Sequence, residues 1–216
     1  MFVHYYMTPT PITIGPEQTV PEAIEILNTH KFRHIPVVDD NGVLLGMLTD
    51  RDLRSATPST VARSKERWNV EQKVNNTPVS VVMSVDCLSL NRLSTLDRAL
   101  LLLQAENVGA LPVLNDSRQV IGIFSAMDLM KAYRFLFGLG EKGSALVSIE
   151  DDGDAEALSK IVKAMEKTHV AFTRLIRAKG TEQEPPMIYL RINTYNIRAV
   201  HKAIEAAGFT IHVPKL

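Results

Sequence analysis

The sequence predicts a mixed α/β protein of three small units: two copies of a β-α-β-β-α unit, then one β-α-β-β-α-β unit. Three observations predict it. The chain repeats itself at a fixed shift, with Met7 against Met83, Thr19 against Thr95, Pro36-Val37 against Pro112-Val113, and Asp52-Leu53 against Asp128-Leu129. Within each copy, apolar residues at helical spacing alternate with short apolar runs of strand length. Beyond residue 144 the pattern changes to a new alternation of strands and helices.

The repeat is gapless. Comparing 5–56 with 81–132 gives eleven identities in 52 positions, where average composition yields roughly three or four by chance. Apolar positions track as well: Ile12 with Leu88, Ile24 with Leu100, Ile35 with Leu111, Leu45 with Ile121, Leu48 with Phe124. A duplicated structural unit explains this pattern.

Each unit is read in the same order. "PITI" (11–14) is a short extended piece. Thr19 then caps a helix, with Glu22 three residues on as a capping box and Pro21 in the first turn. In the second copy Thr95 caps and Asp97 favours the positive end of the helix dipole. "HIPVVD" (34–39) is a buried strand, "DNG" (40–42) a tight turn, and "VLLGMLT" (43–49) the returning strand; "NDS" (115–117) and "QVIGIFS" (119–125) match them. "DRDLRSA" and "AMDLMKAY" open the closing helices. The units are assigned to 1–60 and 81–137, with 61–80 as linker. Its basic "ARSKER" is expected to be a solvated face and Trp68 a packing anchor.

Composition narrows the function classes. Lys+Arg and Asp+Glu both number 24 in 216 residues, so no global positive field would recruit nucleic acid or an anionic membrane. Apolar runs such as "ALLLLQA" are too short to span a bilayer. The opening "MFVHYYMTP" lacks a basic segment followed by an apolar one, so no signal peptide is expected. The single Cys87 excludes an intrachain disulfide and suits a reducing cytoplasm. The six histidines, at 4, 30, 34, 169, 201 and 212, form no metal-ligand spacing. No nucleophile–base–orienter set, GxGxxG or P-loop occurs, so catalysis is not expected. The acidic "EDDGD" (150–154) reads as helix capping and solvation rather than a cation site.

The chemistry lies where the last strand of each unit turns into the last helix. "GMLTDRDL" (46–53) and "GIFSAMDL" (122–129) share Gly, two apolar residues, a hydroxyl residue, two variable positions, Asp and Leu. Helix N-termini present unpaired N–H groups to anions. Thr49 or Ser125 can cap the helix or bond a phosphate oxygen. Asp52 or Asp128 can accept hydrogen bonds from vicinal ribose hydroxyls. Gly46 and Gly122 allow something to approach the strand closely. Ordinary helix capping also fits this spacing, though capping alone does not account for the whole repeat.

These residues carry a family resemblance. "MTPTPITI" (7–14), "RHIPVVDDNGVLLGMLTDRDL" (33–53) and "VGALPVLNDSRQVIGIFSAMDL" (108–129) resemble a tandem pair of CBS (cystathionine β-synthase-type) motifs over roughly 5–133. The resemblance implies a disc-shaped pair of α/β units with two clefts that commonly take adenosine nucleotides or other adenosyl compounds. The Gly-apolar-apolar-Thr/Ser-x-x-Asp pattern is that family's ribose and phosphate motif. Ile12 and Thr13, their counterparts Leu88 and Ser89, and Ala110 are expected to join Thr49, Asp52, Ser125 and Asp128 in lining the clefts. Repeat one adds Arg33, His34 and Arg51, where repeat two has Gly109, Ala110 and Met127. The arginines either bind phosphate or pair with surface acids such as Asp39 or Asp50. In the first case the clefts differ, one preferring phosphorylated ligands.

From 144 to 216, "SALVSI" (144–149) is a strand and Asp154 caps a helix bearing Leu158, Ile161, Val162 and Met165. "VAFTRLIR" (170–177) and "MIYLRIN" (187–193) form a hairpin around 178–186. Ile197, Val200 and Ile204 stripe a second helix that Gly208 stops, and "FTIHV" (209–213) is the last strand. That order is a ferredoxin-like sandwich and, after a CBS pair, resembles an ACT domain. The ACT ligand turn carries a proline-glycine pair before a leucine. "EDDGDAEAL" has no proline, so an interaction domain is expected rather than an amino-acid site. The order CBS–CBS–ACT resembles bacterial acetoin-utilisation regulatory proteins. The expectation is a non-catalytic, cytoplasmic, homodimeric regulator without a cofactor. Its regulatory ligand would be an adenine nucleotide, and it would act on an unidentified regulated protein. The alternative is a protein–protein scaffold with unoccupied clefts.

Overall fold

A computed structural model describes residues 1–57 and 73–212. Most of the 61–80 linker, including Trp68 and "ARSKER", lies outside the described residues. The described chain divides into two compact units, Met1–Lys131 and Ala132–Leu216.

In the first unit, repeat one comprises α1 (Val20–His30), β2 (His34–Val38), β3 (Leu44–Thr49) and α2 (Asp50–Ala56), preceded by β1 (Thr8–Pro9). Repeat two comprises β4 (Leu90–Asn91), α3 (Leu96–Ala105), β5 (Ala110–Leu114), β6 (Val120–Ser125) and α4 (Ala126–Leu136). The caps follow local chemistry. Thr19 and Glu22 form the capping box of α1, and the Thr95 hydroxyl accepts the Arg98 N–H at the start of α3. Lys31 and Asn107 hold the left-handed turn after α1 and α3, at φ 56° and 51°. The hairpin turns match too: the Asp39 carboxylate accepts N–H bonds from Asn41 and Val43, and the Asn115 side chain accepts those of Ser117 and Gln119. Both hairpins bulge at the same place, Val37/Val38 and Val113/Leu114.

Duplication extends to the core. Ile14, Val20, Ala23, Leu27, Ile35, Val37, Leu48, Leu53 and Val79 form one buried cluster. Shifted by the repeat spacing, every one lands on a buried residue: Leu90, Leu96, Ala99, Leu103, Leu111, Val113, Phe124, Leu129 and Val3. The last pair shows how the copies are joined. Val79 precedes repeat two yet packs in the core of repeat one, its N–H donating to the Gln18 carbonyl. The Val3 N–H likewise donates to the Ser94 carbonyl of repeat two. The lead-in segments are thus exchanged. β1 pairs with β6, giving the sheet order β1-β6-β5-β4, while Ser84 bridges Met47 on β3.

The exchange settles what two of these sequence features meet. "PITI" is no strand of its own; it contributes a single parallel bridge, Ile14 to Val37, and the paired residues before it are Thr8 and Pro9. The glycines of the repeated motif face protein. A Cβ at Gly46 would lie 2.6 Å from the Ser84 carbonyl oxygen and 2.9 Å from Met83 Sδ; at Gly122 it would lie 2.4 Å from Met7 Sδ.

The second unit contains β7 (Ser144–Glu150), α5 (Ala157–Thr168), β8 (Phe172–Ala178), β9 (Met187–Asn193) and α6 (Ile197–Ala206). Its sheet runs β7-β9-β8, all antiparallel. Val147, Ile149, Ile188, Leu190 and Ile192 pack against Ile161, Met165, Val200 and Ile204 of the helices. The expected strand 209–213 is reduced to one bridge, Ile211 to Ile149 on the outer edge of β7, flanked by two further backbone bonds; Val213 lies outside the described residues. Asp154 does not cap α5 directly. Its carboxylate accepts the N–H of Glu156, the residue immediately before the helix, and pairs with Lys160. Asp151 takes both donors of Arg177, so the acidic run is occupied by the chain's own groups.

The two motif glycines make a testable contrast. Gly46→Ala pushes a methyl against a backbone carbonyl and should cost about 1–3 kcal/mol, the range for overpacking. Gly122→Ala meets only a methionine side chain, which can swing away, and should cost less. Urea denaturation of both variants checks the order.

Candidate functional site

Both motif Asp residues complete capping boxes. Thr49 Oγ accepts the Asp52 N–H, and Asp52 Oδ2 accepts the Thr49 N–H at 2.8 Å and its hydroxyl at 2.7 Å. Ser125 and Asp128 repeat this at 3.0 and 2.7 Å. Capping uses one carboxylate oxygen and leaves Oδ1 for another partner, so the two readings of the motif are compatible. The copies differ at that oxygen. Asp52 Oδ1 has no hydrogen-bond partner among the described residues. Asp128 Oδ1 accepts from Lys131 Nζ at 3.0 Å.

A cavity of about 550 Å³ opens beside the repeat-one motif. Arg33, His34, Thr49, Arg51 and Asp52 line it, joined by Leu88 and Ala110 of repeat two. The strand exchange explains this mixture: Ser84 is bonded to β3, so the residues that follow it are carried to the repeat-one helix. Ser125, Asp128, Ile12, Thr13 and Ser89 do not line this cavity. Asp86, Cys87, Glu106 and Asn107 do, and periodicity gave no sign of them. They lie in a lead-in segment and at a helix end, which only the exchange brings here.

Charges in the cavity are unevenly committed. Asp50 pairs with Arg54. Arg33 and Arg51 form no ion pair among the described residues, neither with Asp39 nor with Asp50. The His34 ring lies against Gly109, where a Cβ would come within 2.8 Å of Cε1. The glycine that replaces arginine in repeat two therefore makes room for the histidine of repeat one. Burial, and then the neighbouring Arg33 charge, push His34 below the ordinary histidine range, against the opposing pull of Asp52 and Asp50. Burial raises the Cys87 thiol above its ordinary range. Among the described residues no cluster of three or more His, Cys, Asp or Glu is placed to hold a metal ion, and no helix is long and apolar enough to cross a membrane.

The CBS domain family model matches residues 3–59 and 79–134, more than half of the chain. The chain belongs to the CBS-domain family. A CBS domain-containing protein of Bacillus subtilis, YhcV, is 35% identical over 123 residues, covering 57% of this chain and 79% of the relative. Among solved structures, CBSX2 of Arabidopsis thaliana in complex with AMP superimposes with a TM-score of 0.54 at 26% identity, covering 63% of this chain and 98% of that one. A protein of Vibrio cholerae assigned to acetoin utilization (AcuB) gives 0.54 at 27% identity, covering 65% and 96%. The fold of the CBS pair is thus placed in a known family, and the cavity lies within that pair.

The depressed His34 makes a pH prediction. A buried histidine kept neutral contributes stability that is fully present above its ordinary pKa and lost as pH falls toward its folded value, because the unfolded chain then binds the extra proton. Between pH 7.5 and 5 the wild type should lose more stability than His34→Gln. Denaturation midpoints of both proteins across that range check it; parallel curves would refute it.

Proposed function

We propose that the chain is a non-catalytic regulatory module in which the repeat-one cavity of the CBS pair takes an adenine nucleotide. One observation carries the reading: a cavity with a capped helix start and, among the described residues, two arginines without an ion pair and one Asp52 oxygen without a partner. Arg33 and Arg51 supply donors for phosphate. The Thr49 end of α2 adds the positive pole of the helix, and Asp52 Oδ1 accepts from ribose hydroxyls. Ala110 and Leu88 offer apolar surface to the base. The likeness to an AMP-bound CBS pair supports this assignment. Ile12, Thr13 and Ser89, with Ser125 and Asp128, would belong to the second cleft.

On this proposal the units are 1–60, 81–137 and 144–216, with 61–80 between them. The third is a ferredoxin-like, ACT-like interaction domain: the observed β-α-β-β-α order and the Ile211 bridge beside β7 support it. Occupancy would be relayed to a cytoplasmic partner or to the assembly of a homodimer, since both module types pair readily and two such contacts add avidity. The resemblance to AcuB favours a regulatory role of that kind.

Calorimetric titration with AMP and with adenosine tests the site. Asp52→Ala should weaken both ligands by about 1.5–3 kcal/mol, the range for a hydrogen bond to a charged group. Arg33→Ala and Arg51→Ala should weaken AMP alone. Bound AMP should also slow alkylation of Cys87, the chain's single thiol, in the cavity wall. Absence of binding by AMP, ADP, ATP and adenosine together would favour the scaffold with empty clefts.

A further inference from the structure

The two capping boxes are built alike and differ at the second carboxylate oxygen. Asp128 is only 4% exposed, and both of its oxygens are taken: Oδ2 by Ser125, Oδ1 by Lys131. In repeat one the position of Lys131 is held by Ser55, and Asp52 Oδ1 has no partner among the described residues. The surroundings differ in the same sense. Where α2 begins Asp50, Arg51, Asp52, α4 begins Ala126, Met127, Asp128, and Met130 replaces Arg54. Met127 and Met130 are 60% and 64% exposed.

A carboxylate held in this way is a poor acceptor for a ribose. Lys131 takes one of the two lone-pair sites on Oδ1, so the vicinal pair of hydroxyls could bond there only by displacing a charge-assisted bond. Lys131 leaves most of its own length in solvent, 66% exposed, so the pair adds little to folding. From this we infer that Lys131 is a built-in latch on the repeat-two motif. It makes the CBS pair a one-nucleotide module, with repeat one as the only acceptor of an adenosine ribose. The inference rests on the nucleotide reading of repeat one.

The test counts sites by calorimetry, with AMP as the probe and the full chain as the protein. Wild type should bind one AMP, and Asp52→Ala should weaken that site by about 10- to 150-fold. Lys131→Ser, which restores the repeat-one residue, should raise the count to two while leaving the melting temperature nearly unchanged. Lys131→Arg keeps a cation in place and should bind one. Lys131→Ser with Asp128→Ala should return to one. The latch is overturned by two sites in the wild type, by a Lys131→Ser count that equals a wild-type count of one, or by loss of a site in that variant, which would make the lysine a ligand contact. Failure of AMP to bind either wild type or Lys131→Ser would overturn the nucleotide reading itself. Binding by Lys131→Ser alone would support the latch while removing the assignment of repeat one.

Discussion

The close approach of backbone to backbone at Gly46 is the constraint on which the first unit depends. Ser84 exchanges both backbone hydrogen bonds with Met47, and its carbonyl lies where any side chain at Gly46 would begin. That contact fixes the lead-in of repeat two to the sheet of repeat one. β1 makes the reciprocal contact on β6, against Gly122. Val3 and Val79 complete opposite cores. Neither repeat closes its core from its own consecutive residues. A hydrophobic core that lacks its covering segment exposes apolar surface to water, so the copies stabilise one another and fold as one unit.

The same constraint decided what the sequence could reveal. Elements built from local chemistry were legible: the Thr19 capping box, the matched hairpin turns, the helix stop at Gly208, the alternation of "MIYLRIN". These depend on residues within a few positions of one another. The exchange joins residues far apart in sequence, from 37 positions for Met47 and Ser84 to 115 for Thr8 and Ile123, and leaves no periodic trace. Hence the extended "PITI" gives no sign of its single parallel bridge to Val37, and the motif glycines give no sign that what approaches them is Ser84 and Met7. Asp86 and Cys87 were invisible as cavity residues for the same reason. The final strand was overread for another: "FTIHV" has the composition of a strand, yet its described part makes one bridge on a sheet edge.

The motif itself shows how one side chain serves folding and chemistry together. A carboxylate has about four lone-pair sites on two oxygens. The helix cap needs those of Oδ2 and orients the group so that Oδ1 points away from the cap. Asking whether the Asp is a cap or a ligand group poses a false choice: capping preorganises the acceptor, removing rotamer freedom that binding would otherwise have to remove. What distinguishes the copies is therefore outside the motif, at the residue three positions further along the helix, Ser55 or Lys131.

Charge placement, rather than charge total, gives the cavity its polarity. The chain is neutral overall, and the cavity holds acids as well as bases: Asp52, Asp86 and Glu106 stand with Arg33 and Arg51, while Asp50 and Arg54 satisfy each other. A wall of mixed sign repels a bare polyanion less than an acidic one, yet attracts it less than a basic one. It suits a ligand that is itself divided, with an anionic end for the guanidinium groups and hydroxyl donors for the carboxylates. Arginines without an ion pair among the described residues stand beside a half-desolvated histidine whose pKa is pushed down. On the proposed nucleotide reading, His34 would add ring surface at neutral pH without adding charge, and phosphate selectivity would fall on Arg33 and Arg51, whose charge does not titrate.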